Sequence, residues 1–193
     1  MKFNLHQAVP HFIMASLLWL PMAAFAHPGH DHFHTGFEAG FIHPFTGLDH
    51  MTMALTLGVL FYSINQRWNI LGLVIMSVAL MIGFNLGATQ FIAANIAEVG
   101  IMASLLGMAV ALWSKSKTVL PIAIAMLVMF HGAAHGVELA QAGHVLSLVS
   151  GMLVAMALIY ALGLLFAHFV VKHLPYGKKV LGICAAMVAL GFA

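Results

Sequence analysis

The sequence predicts an all-α integral membrane protein, with six transmembrane helices after a cleaved N-terminal signal peptide. Three observations carry that reading. Of 193 residues, 63% are hydrophobic and only 6% charged, with a mean hydropathy of +1.04, whereas a soluble domain carries about a quarter charged residues. The apolar residues gather into stretches of about one bilayer thickness, given roughly 20 residues per spanning helix. The basic residues of those stretches fall only in alternate connections, as the positive-inside rule requires.

The first segment reads as an export signal. Lys2 stands in a short polar lead, an apolar run follows from Phe12 to Leu20, and Pro21 precedes the small-residue tripeptide Ala24-Phe25-Ala26. A basic start, an apolar core and an Ala-x-Ala site are the three parts of a secretory signal peptide. Cleavage after Ala26 divides the chain into a signal peptide (1–26), a periplasmic histidine-rich tract (27–36) and a six-helix membrane domain (37–193).

The first span is predicted from Pro44 to Tyr62, with Arg67 marking the turn after it. Two more spans lie between Arg67 and Lys115, hinged near Ala88 to Asn95, and two between Lys117 and Lys172, hinged near Gln141 to His144. The last begins near Pro175, with Lys178 and Lys179 at its start. With the mature N-terminus in the periplasm, Arg67, Lys115, Lys117, Lys172, Lys178 and Lys179 all fall in cytoplasmic connections. The chain is thus a multi-pass protein of a bacterial inner membrane, with the lipid bilayer as its surroundings. Its oligomeric state is left open.

Composition also excludes functions. Seven Lys and Arg against five Asp and Glu make no basic face for nucleic acid. The single cysteine, Cys184, permits neither an internal disulfide nor a Cys-x-x-Cys site. His131-x-x-x-His135 carries Gly132 where a zinc protease needs its general-base Glu, and no serine or cysteine nucleophile stands beside a base, so the chain is not read as an enzyme. The informative excess is thirteen histidines.

Two motifs gather them. HPFTGLDH, His43 to His50, opens the first span, and FHGAAHGVE, Phe130 to Glu138, closes the fourth. His131, His135 and Glu138 are spaced i, i+4, i+7 and share one helical face. Pro44 suits a first helical turn, which places His43 outside the helix at the mouth. At a rise of about 1.5 Å per residue, Asp49 and His50 reach the same depth as His131 and His135, with His43 and Glu138 at a rim above them. Small residues beside the motifs (Gly47, Ala54 and Gly58; Gly132, Gly136 and Ala140) would let these two helices approach each other closely.

Imidazoles with one or two carboxylates suit borderline divalent ions such as nickel, cobalt, zinc and copper. An ionised Asp at membrane depth costs a few kcal/mol unless paired, and a cation supplies the pairing. The candidate metal ligands are therefore His43, Asp49, His50, His131, His135 and Glu138. The competing reading for each histidine is a cross-helix hydrogen bond that merely holds the bundle. Accessory metal candidates are His27, His30, His32 and His34 in the N-terminal tract, and Asn85, read as a buried amide between Gly83 and Gly87.

The two motifs, the HPGH start of the mature chain and the six-span layout together resemble the HupE/UreJ family of nickel and cobalt permeases, over essentially the whole sequence. The resemblance implies secondary uptake of nickel or cobalt for metalloenzymes, without an ATPase domain, the metal being a transported substrate rather than a permanent cofactor and zinc and copper ranking behind. The alternative is a membrane metal-binding protein, either a metalloenzyme or a metal-delivery chaperone, that keeps its ion.

Overall fold

The computed structural model describes residues 36–139 and 144–191, and every regular element among them is helical. In chain order these are α1 (Phe37–Thr46), α2 (Leu48–Tyr62), α3 (Gln66–Ala88), α4 (Ala94–Trp113), α5 (Val119–Leu127), α6 (Met129–Leu139), α7 (Val145–His173) and α8 (Gly177–Gly191). The segment read as a signal peptide, its expected cleavage site and the four histidines of the N-terminal tract lie outside the described residues.

Four stretches are long and apolar enough to cross a membrane: α3, α4, α5 with α6 taken together, and α7. Their outer faces carry exposed aliphatic side chains, among them Ile70, Val74 and Val78 on α3, Val99 and Val110 on α4, and Leu158, Leu162 and Leu165 on α7. An apolar exterior of this kind fits lipid rather than water. α2 and α8 are shorter, at 15 residues each.

α2 is the centre of the bundle. Met53, Ala54, Leu57, Val59 and Phe61 are fully buried, so the helix is covered on every side, by α7, α8, α3 and α4. A helix wrapped by protein must be apolar nearly all round, as the sequence LDHMTMALTLGVLFY is apart from Asp49, His50, Thr52 and Thr56, and the buried Thr56 hydroxyl donates to backbone carbonyls of its own helix. It ends at Tyr62, and Asn65 caps the next helix by accepting a hydrogen bond from the Arg67 backbone N–H at 2.9 Å.

Two expectations about the spans are corrected. Pro44 does not open the first span: it lies inside α1, which starts seven residues earlier at Phe37, and His43 is therefore helical. The proline is tolerated because the helix stops almost at once, at the extended residue Gly47, beyond which α2 begins. The fourth span is likewise interrupted, at Val128, whose carbonyl accepts from the His131 N–H at 3.0 Å.

The small-residue stripes are real close-packing surfaces, but they join other helices than expected. Gly132 and Gly136 of α6 abut the backbone of α3 at Leu80 and Phe84, while Gly83 and Gly87 of α3 abut α6 at Met129 and Ala133. Gly58 of α2 faces Tyr160 of α7, and Gly163 of α7 faces Leu55. At each of these positions a Cβ would collide with a main-chain carbonyl, so only glycine permits the crossing. The helices bearing the two motifs are each clamped to a different partner.

Candidate metal centre

The two motifs meet through side chains. His43 comes from α1, Asp49 and His50 from the first turn of α2, and His131, His135 and Glu138 from α6. His50 Nε2 lies 2.7 Å from His135 Nε2. A ligand nitrogen of His43 joins them, all three lying within 4.8 Å of one another. The His43 ring stands edge-on to both, with centroids 4.5 Å from His135 and 5.2 Å from His50. Three convergent imidazole nitrogens are a donor set for a borderline divalent cation.

Asp49 stands behind this triad. Its Oδ1 is 2.9 Å from His50 Nδ1. An ionised carboxylate only accepts, so Nδ1–H donates, and the lone pair of His50 is left on Nε2, facing the centre. His131 is fully buried on the far side of Asp49, its Nε2 3.8 Å from Oδ2 and its ring 5.1 Å from that of His50. That spacing is an electrostatic contact rather than a hydrogen bond. At the opposite margin, the largely exposed Glu138 places Oε2 3.9 Å from His135 Nδ1.

The arrangement redraws the two layers expected from depth. His43 belongs with His50 and His135, because α1 continues through it instead of ending before it. Asp49 and His131 form a tier next to the triad, and Glu138 stays at the rim. Asn85 is not part of the site. It is exposed on α3, since Gly83 and Gly87 face α6 and a residue two positions from each points about 200° away at about 100° per residue.

Sequence reasoning missed the role of Gly47. A Cβ there would lie 2.8 Å from both Asp49 Oδ1 and His50 Nδ1, inside the hydrogen bond that orients the ligand. The signal was its place within HPFTGLDH, where it was read only as part of a packing stripe. Next to His50 is a cavity of about 20 Å³, otherwise lined by apolar groups, including Leu80, Phe84, Met152 and Met156. A space of that size holds about one water.

Comparison with known proteins gives a consistent picture. The model of a family described as "HupE / UreJ protein" matches residues 15–192. Protein HupE of Rhizobium leguminosarum bv. viciae is 29% identical over 181 residues, covering 89% of this chain and 93% of that one. No solved structure matches.

Proposed function

Because the chain belongs to the HupE/UreJ family, we propose that it is a permease that takes up nickel or cobalt through the histidine centre, crossing the bacterial inner membrane six times with its mature N-terminus in the periplasm. Family membership associates the protein with nickel and cobalt transport and with transporters rather than enzymes. The observation that carries the site is the convergence of His43, His50 and His135 on one point.

In this reading the cation is drawn from the periplasm by the exposed carboxylate of Glu138, loses water, and is taken by the three imidazoles. Asp49 holds His50 in the ligating tautomer and balances part of the incoming charge. The topology has α2 and α8 as the first and sixth spans, with Arg67, Lys115, Lys117, Lys172, Lys178 and Lys179 on the cytoplasmic side. Cleavage after Ala26 accounts for the periplasmic start, and an intact mass that retains Met1 to Ala26 would refute it.

Radiolabelled nickel and cobalt uptake into cells or vesicles, with and without the protein, tests the permease; no uptake above background sinks it. One observation favours the second reading, retention of the ion: the small cavity beside His50 is otherwise walled by apolar side chains. Bound metal that fails to exchange with free metal during an uptake assay would support retention.

A further inference from the structure

We propose a second, weaker divalent-cation site at the other end of α2, formed at the Tyr62–Asn69 cavity and served by His168. It rests for its role on the permease reading, where it would receive the ion before release. Its existence is a separate matter of binding.

The cavity is lined by Tyr62, Gln66 and Asn69 and measures about 450 Å³. Liquid water takes about 30 Å³ per molecule, so a cation with much of its hydration shell fits. Three features make it a built site. Asn69 Oδ1 is buried without a hydrogen-bond partner, and an amide oxygen is a donor for divalent cations. The Asn69 residue is held in place, because the Tyr160 hydroxyl donates to its backbone carbonyl at 2.8 Å, close against Gly72. The Tyr62 hydroxyl lies 2.9 Å from His168 Nδ1. In the tautomer whose Nδ1–H donates to the phenol oxygen, His168 keeps its lone pair on Nε2, the form a cation would select.

The two sites differ as entry and release sites should. The histidine centre is buried, compact and backed by a carboxylate. The Tyr62 end is roomy, and Arg67 and Lys172 stand two residues from Asn69 and four from His168 along the chain. Nearby positive charge and open water weaken cation binding, and conduction needs the last site to let go. His50 and Tyr62 are twelve residues apart on one helix, about 18 Å at about 1.5 Å per residue.

The test is equilibrium dialysis of the purified full-length protein against Co²⁺ in the His50→Ala background, which removes the histidine centre and leaves all other histidines in place. The site predicts that His50→Ala/His168→Gln binds one equivalent fewer than His50→Ala, and that adding Tyr62→Phe instead weakens that equivalent roughly 10-fold, as loss of an orienting partner does. His168 is exposed, so the glutamine is not expected to disturb folding, and equal membrane abundance checks this. Unchanged stoichiometry on His168→Gln overturns the site, as does an equivalent lost on His173→Gln but not on His168→Gln. A wild-type protein that binds this second equivalent yet takes up no metal would sink the permease and leave the site standing.

Discussion

Two contacts of α6 can be set side by side. Against α3 it packs backbone to backbone, through Gly132 and Gly136 on one side and Gly83 and Gly87 on the other. Toward α2 it reaches with side chains, and the link is the His50–His135 pair. The first contact is a clamp that excludes even a methyl group; the second is a gap spanned by imidazoles. A helix held rigidly on one face can present ligands at fixed distance on another, which is what preorganised metal coordination needs. Scaffold and site are thus separable, and substitutions should divide along that line.

The largest effect is expected at the side-chain contact. His50→Ala or His135→Ala removes a ligand nitrogen, so metal affinity and uptake should fall by roughly 100-fold or more, beyond the range typical of outer partners. Membrane abundance should be retained, and His43→Ala belongs in the same class. Uptake normalised to immunoblotted protein checks this; normal uptake at normal abundance by these variants would remove the shared centre. Asp49→Asn comes next. It keeps the volume but lets the side chain donate, freeing His50 to adopt the other tautomer, and a loss of roughly 10- to 100-fold in affinity follows, readable by Co²⁺ titration.

Breaking the clamp should act the other way round. Gly132→Val drives a branched side chain into the α3 main chain at Leu80 and should destabilise the bundle by about 1–3 kcal/mol or more. The reading is a lower melting temperature and lower abundance, with metal affinity per folded molecule little changed; a stable variant with weakened affinity would show that clamp and site are not separable. The smallest effects sharpen the boundary. Glu138→Ala at the exposed rim should raise the half-saturating metal concentration a few fold without lowering the maximal rate, since water can replace it. Asn85→Ala, on the outer face of α3, should change stability by no more than about 0.5 kcal/mol and leave uptake alone.

Much of this was legible in the chain. Membrane class, the hinge near residues 88–95, and the residues of the two motifs follow from local properties: hydropathy over a window, turn residues, and i, i+4, i+7 spacing on one helix. Such properties depend on neighbours in sequence, and a helix satisfies its own backbone wherever it is placed in a bilayer. The grouping of ligands was not legible, because it turns on where helices stop. A three-residue difference in where the helix breaks, at Gly47 rather than Pro44, moves His43 from the rim into the triad, and Gly47 itself gains its role only from the Asp49–His50 bond pressed against it.

What the sequence by itself determined was therefore which residues are chemically equipped to hold a metal and roughly how far along each helix they stand. What only the tertiary structure decided was their partners. A stripe of glycines announces that some helix comes close, but it carries no label for which one. Gly132 and Gly136 met α3 instead of α2, Asn85 was turned outward as a consequence, and the imidazoles were left to close the remaining distance, because shape complementarity between surfaces exists only once all the helices are assembled.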